Sequence, residues 1–291
     1  MNTQHKLRRF GALAAIVLAA QLTLTACSGS STASQPGCTP KHDGVQTVSP
    51  GKLTIGVIDV PPLSSYNSGN PAGIDLSIVN KIAKDECLTP VYQQATFADA
   101  IQSISGGNID VAVGGIDATA KRLKVVDFSA STYLDGLGLV SKTGAKTIAD
   151  LEKMSKVGTV DGYMWVDDLK KILGDKLSTY PSSVELKSDF DAGRLDAALD
   201  GYAVQVQQFK GASGVSPALV NENPDPRVGA TIHAPETAFP LTKNNTSLKK
   251  ALDEGILAQH QDGTITKMLT EAGLSAGMGK VGDTQFIVPE S

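Results

Sequence analysis

Basic residues are nowhere massed in this chain. Its 26 lysines and arginines stand against 30 acidic residues over 291 positions, and no three basic residues are consecutive. Nucleic-acid binding calls for a concentrated basic face, so that class of function is set aside. Histidine is scarce: only His5, His42, His233 and His260 occur. They follow no metal-ligand spacing and no nucleophile–base arrangement accompanies them, so no metal, cofactor or catalytic residue is expected. There is one tryptophan, Trp165, and there are three cysteines, Cys27, Cys38 and Cys87. An apolar run of the roughly 20 residues that cross a bilayer is also missing.

What is present begins with Lys6, Arg8 and Arg9, followed by an apolar run from Gly11 to Leu24. A basic start, a short apolar run and small residues at its end read as a secretory signal over residues 1–26. Leu24-Thr25-Ala26-Cys27 resembles the lipobox of bacterial lipoproteins. That resemblance implies cleavage before Cys27, a diacylglyceryl group on its sulfur, and a location on the extracytoplasmic face of the cell membrane. Residues 27–50 then read as the lipidated cysteine and a flexible tether, because Ser28 to Pro40 carries no charge and little to bury. The 26 basic residues less Lys6, Arg8 and Arg9 leave 23 against 30 acids in the mature chain, a formal −7. With Cys27 lipidated, Cys38 and Cys87 remain in an oxidising compartment and are expected to pair.

Beyond the tether, the pattern is α/β. Leu53–Val57 reads as a strand, residues 76–86 as an amphipathic helix, Phe97–Ile104 as a second helix stopped by Gly106-Gly107, and Ile109–Val113 as a buried strand. The pattern starts again with a strand at 156–160, a helix at 163–173 and a strand at 195–199. Extended Ala238–Leu241 and two closing helices follow. Gly107-Asn-Ile-Asp-Val-Ala-Val-Gly-Gly115 is echoed by Gly193-Arg-Leu-Asp-Ala-Ala-Leu-Asp-Gly201. Each copy ends at the carboxyl end of a strand, where open α/β sheets take ligands.

The residues gathered at those ends have complementary chemistry. Gly114 and Gly115 leave backbone open to close approach. Arg122 offers a planar fork for a carboxylate, and Asp117 and Asp200 offer acceptors for an ammonium. The helix start near Met164 adds N–H groups suited to an anion. Together they describe a site for a small zwitterion. A surface Arg122–Asp127 pair, a capping role for Asp117 and a turn role for Asp200 are the plainer alternatives.

From Leu53 to about Leu274 the chain resembles the periplasmic amino-acid-binding proteins of ABC importers, the solute-binding family 3. The resemblance is carried by Pro71-Ala-Gly-Ile-Asp-Leu76, Phe97-Ala-Asp-Ala-Ile-Gln-Ser-Ile104, Gly107-Asn-Ile-Asp110, Thr119-Ala-Lys-Arg122, Val126-Asp-Phe-Ser129, Gly193-Arg-Leu-Asp196 with Asp200, and Gly263 with its apolar helix, in the family's order. It implies a two-lobe, type II periplasmic binding protein-like fold. Each lobe would be a mixed, mostly parallel sheet flanked by helices, and two hinge strands would join them. The expected boundaries are 51–140 plus 236–278 for lobe 1, 141–235 for lobe 2 and 279–291 for a tail. Arg122 would grip an α-carboxylate with the N–H groups of Asp117 and Met164. Asp200, the Gly115 carbonyl and the Asp117 side chain would take the α-ammonium, and Phe97 would line the side-chain pocket. Expected partners are an amino acid or amine-containing ligand, a permease with its ATPase, and the membrane through the lipid; the receptor is expected to be a monomer.

Some positions depart from the family's pattern. Position 117 is Asp where many relatives have Ser or Thr, position 77 is Ser rather than an acid, and a Gly-Thr loop is replaced by Gly162-Tyr163-Met164-Trp165. Two acids against one arginine lean toward a ligand with extra positive charge. The loop Val57–Leu63 does not reinforce that lean, because it lacks the acid-and-aromatic set of several relatives. Trp165 reads equally as a helix anchor and as a stacking surface at the cleft. A ligand sensor for a membrane signalling protein and a dehydratase-like enzyme on the same fold are the alternative functions.

Overall fold

The computed structural model describes residues 37–67, 69–232 and 235–281. The signal segment, Cys27, the start of the tether, His233 and the end of the tail lie outside the described residues. Among the described residues, no helix is long and apolar enough to cross a membrane.

The first lobe contains β1 (Lys52–Val57), the hairpin β2 (Ser65–Asn67) and β3 (Asn70–Ala72), α1 (Ile74–Asp85), β4 (Thr89–Gln94), α2 (Phe97–Ser105), β5 (Val111–Val113) and β6 (Asp127–Leu134). The second contains β7 (Leu137–Ser141), α3 (Ile148–Leu151), β8 (Val157–Val160), α4 (Val166–Leu173), β9 (Leu177–Tyr180), α5 (Ser183–Asp191), β10 (Ala197–Gly201), α6 (Tyr202–Gln208) and β11 (Ala218–Leu219). The chain returns with β12 (Glu236–Leu241), and α7 (Thr246–Gln261) and α8 (Thr264–Glu271) complete the first lobe.

The two sheets have the same plan. One runs β4-β1-β5-β12-β6 and the other β9-β8-β10-β7-β11. In each, the central strand has a parallel neighbour on one side (β1 or β8) and an antiparallel one on the other (β12 or β7). The echoed sequence segments are those two central strands, β5 and β10. Their aspartates do matching work. The Asp110 carboxylate accepts from the N–H groups of Val48 and Thr54, at 2.6 and 2.7 Å, and fastens the start of β1. The Asp196 carboxylate accepts from the Ser155 and Lys156 N–H groups, at 3.0 and 2.9 Å, just ahead of β8. The preceding turn glycines, Gly107 and Gly193, share a left-handed φ of 70° and 72°.

The first crossing between lobes falls at Asp135-Gly136, five residues ahead of the boundary at 140 that the apolar run suggests. The reason is pairing: Leu139 and Val140 lie opposite Leu199 and Ala198 of β10 and therefore belong to the second sheet. The chain re-enters the first sheet as β12 at Glu236. The two crossings touch, since the Asp135 N–H donates to the Pro235 carbonyl at 3.0 Å. The helix expected over 163–173 starts at Val166 instead, because Gly162 (φ 77°) turns the chain first.

Cys38 and Cys87 form a disulfide, with Cα atoms 5.8 Å apart and a sequence separation of 49. Closing a loop of that length restricts the unfolded chain by about 4 kcal/mol on the chain-entropy view. Beside it, the Lys41 ammonium pairs with Asp85 at 2.7 Å. The His42 ring sits between Glu86 and Glu254, at 2.8 and 3.0 Å. The Glu86 hydrogen bond foremost holds the imidazole pKa above its ordinary value. The end of the tether is thereby strapped onto α1 and α7 of the first lobe.

Candidate functional site

The carboxyl ends of β5 and β10 meet across the cleft. On the first-lobe side, Gly114 and Gly115 have positive φ, 137° and 63°. A Cβ on Gly114 would stand 2.7 Å from Ile58, and one on Gly115 would stand 2.6 Å from Leu63. The glycines are thus required by their own surroundings as much as by any ligand. Their N–H groups both donate to one Asp75 oxygen, at 2.9 and 3.0 Å, while the Tyr133 hydroxyl donates to the other at 2.6 Å. Burial raises the Asp75 pKa, and these three donors oppose it. Asp75, the acid of the Gly-Ile-Asp motif, therefore holds the strand exit in shape.

Arg122 opens a short 3₁₀ turn after this exit. Its guanidinium is buried against the Phe97 ring, 4.7 Å from the centroid. Such stacking contributes about 0.5–2 kcal/mol. One Nη donates to the Asp117 carbonyl at 2.7 Å and the other crosses the cleft to the Gly162 carbonyl at 3.0 Å. The Asp127 pairing offered by the plainer reading goes elsewhere, as Asp127 pairs with Lys243 at 2.9 Å. The Asp117 backbone bridges to Thr237 of β12. Its carboxyl Oδ1 is buried with no hydrogen-bond partner among the described residues. Burial pushes the Asp117 pKa up to about 7, against the pull of Arg122.

From the second lobe, Tyr163 stacks edge-on against Phe97 and against Trp165, with centroids 5.0 Å apart in both cases. Its hydroxyl donates to Asp200 Oδ1 at 2.9 Å, and the Gly201 N–H donates to the same oxygen at 2.8 Å. Asp200 Oδ2 is buried and unpartnered among the described residues. Burial raises the Asp200 pKa to about 6; Ser183, the Gly201 N–H and Tyr163 oppose that rise. The Trp165 indole N–H donates to Thr159 at 2.9 Å inside the second-lobe core, and the residue also lines the cavity.

Phe97, Gly115, Asp117, Arg122, Tyr163, Met164 and Trp165 line one small cavity of about 20 Å³. That is room for about one water molecule. Asp200 stands behind Tyr163 rather than on the cavity wall. A larger cleft of about 470 Å³ shares Val60, Phe97 and Tyr163 with this cavity, so these three residues lie between the two. The cavity as it stands is too small for an amino acid, and the Tyr163 hydroxyl covers Asp200 Oδ1.

Two acids were given no role from sequence. Asp135, in the crossing dipeptide, lines the small cavity. Asp59 lies within Val57–Leu63, so that loop does supply an acid, though no aromatic residue, contrary to the expectation that it lacks both; Asp59 edges the larger cleft and has a buried, unpartnered Oδ1 among the described residues. An acid set between two apolar strands, as in Leu134-Asp135-Gly136-Leu137, was the available signal for the first.

Two α/β lobes that present facing strand ends to a closed cleft define a cleft-binding protein. The model of the bacterial extracellular solute-binding proteins, family 3, matches residues 53–273. The chain belongs to that family. Among curated relatives, a probable histidine-binding protein of Neisseria gonorrhoeae is 25% identical over 68% of this chain and 74% of its own. The arginine-binding extracellular protein ArtP of Bacillus subtilis is 25% identical over 83% and 93%. Among solved structures, an ancestral arginine-binding protein bound to glutamine aligns with a TM-score of 0.66 and 25% identity over 76% of this chain and 97% of its own. These relatives are binding proteins, and their two-lobe α/β architecture is the one described above.

Proposed function

We propose that this protein is the substrate-binding lipoprotein of an ABC importer. In this reading it is held at the extracytoplasmic face of the membrane by Cys27, captures an amino acid between its lobes and delivers it to a permease. One observation carries the binding reading: a buried guanidinium that reaches across the cleft, beside two carboxylates with unpartnered buried oxygens on opposite lobes. Arg122 would exchange the Gly162 carbonyl for the ligand carboxylate. Asp200, freed from Tyr163, would receive the α-ammonium with the Gly115 carbonyl. Closure would then be a hinge motion about Asp135-Gly136 and the return into β12. The amino-acid-binding relatives support the ligand class.

A thermal-shift screen of the proteinogenic amino acids tests this. A ligand that binds only the folded form at 100 times its Kd adds about 2.7 kcal/mol, which is a rise of several degrees. No shift with any amino acid overturns the reading. Anchoring has its own test. The full chain expressed in a bacterium is expected to enter the detergent phase on Triton partition, and Cys27→Ala to stay in the aqueous phase. Aqueous partition of the unaltered protein refutes the anchor.

A further inference from the structure

The cavity wall and the groups just behind it hold more acid than a zwitterion requires. Asp75 is satisfied by three donors and needs nothing from a ligand. Asp117, Asp135 and Asp200 are different. They are 8%, 7% and 1% exposed, and Arg122 is the cation among the cavity-lining residues. Arg122 donates to the Asp117 carbonyl rather than to its carboxylate. Asp117 Oδ1 and Asp200 Oδ2 have no partner among the described residues. At Asp135, Oδ1 accepts from the Ala203 N–H at 3.0 Å, while Oδ2 lies 2.7 Å from where a Gly201 Cβ would stand. Burial raises the Asp135 pKa well above the ordinary carboxylate range; the Ala203 N–H opposes this, and the neighbouring Asp117, Asp200 and Asp75 add to it. The acids are thus close enough to repel one another.

A zwitterion brings one carboxylate and one ammonium, so it leaves this balance unchanged. A desolvated carboxylate without a counter-charge is costly. In the free protein a bound proton relieves that cost; a ligand with one more positive charge replaces the proton and relieves it with the carboxylate ionised.

We propose that Asp135 makes the cleft selective for amino acids with a positively charged side chain. Asp135 and Asp117 receive that charge, while Arg122 and Asp200 hold the α-carboxylate and α-ammonium. This rests on the reading of the cleft as an amino-acid site. Asp135 reaches the ligand from the crossing between lobes, so the charge it recognises is read at the point about which the lobes turn.

The experiment is calorimetric titration of the mature protein with L-arginine, L-ornithine and L-lysine. Each is paired with a neutral counterpart: L-citrulline, L-glutamine and L-norleucine. The cationic member of at least one pair is expected to bind about 100-fold more tightly. In Asp135→Asn, whose side-chain oxygen still accepts from Ala203, that preference is expected to fall by about 30-fold, with the neutral counterpart changed less than about 3-fold. Equal or better binding of the neutral members overturns the proposal and leaves the amino-acid reading standing. An equal loss for both members in Asp135→Asn, with unchanged melting temperature, also overturns it. Binding of none of the six, together with no shift in the wider screen, removes the amino-acid reading and this proposal with it.

Discussion

Arg122→Ala is expected to lose amino-acid binding by about 10³-fold or more, roughly 4 kcal/mol, because a carboxylate in this cavity loses a charge-assisted, hydrogen-bonded partner and its desolvation goes uncompensated. The geometry sharpens the expectation. The guanidinium is fixed by Phe97 on one side and by the Asp117 and Gly162 carbonyls on the other. A lysine cannot reproduce that fork, so Arg122→Lys is expected to recover only a small part of the affinity. The same substitution separates folding from binding. If Arg122→Lys melts within a few degrees of the unaltered protein yet binds weakly, the lost affinity belongs to the contact. Retained affinity in Arg122→Ala would remove the carboxylate role altogether.

The second large effect is on stability. Asp117 has an ordinary pKa of 3.8 that the fold raises to about 7. The folded protein therefore binds this proton more tightly than the unfolded chain does. The associated stability is complete below pH 3.8 and is lost as pH rises through about 7. The full span corresponds to about 4 kcal/mol, and water reaching the carboxyl through the cleft reduces it. Without ligand, Asp117→Asn should therefore melt several degrees higher than the unaltered protein at pH 8 and differ little at pH 4. With ligand, the same variant should show a smaller ligand-induced shift. Parallel melting profiles for the two proteins between pH 4 and 8 would contradict this. A site residue that costs the free protein stability is the expected trade of a binding cleft.

The sequence disclosed those parts of the fold whose signals are local. The strands β1, β8 and β10, the helices α1 and α2, and both closing helices follow from runs and periods that burial alone dictates. The repeated Gly-x-x-Asp segment marked the two central strands, because its glycine and aspartate have the same backbone duties in both lobes. β4, β6, β9 and α5 were not drawn out. Their residues are half polar, and they become strands and helix through neighbours far along the chain. The crossing was misplaced for the same reason, since Leu137–Val140 looks alike whichever sheet receives it.

The site divides similarly. Arg122, Asp117, Phe97 and the Tyr163–Trp165 stretch could be named from residue type and motif order, and the fold brings them to one cavity. That Asp200 would lie under the Tyr163 hydroxyl could not be read, because the contact depends on how far α4 starts beyond Gly162. Asp135 was passed over because it sits in a two-residue link with no period of its own. Its meaning comes only from the three other acids that the two sheets bring around it.

The strap formed by Cys38, Lys41 and His42 has a mechanical consequence. Any pull arriving along the chain from its amino-terminal end enters the globule through the disulfide and is spread into α1 and α7, on one lobe alone. Both hinge segments lie outside that line of force. On the proposed reading of an anchored receptor, the protein would be leashed or dragged without its cleft being prised open, and the second lobe would stay free to swing on the energy of a ligand.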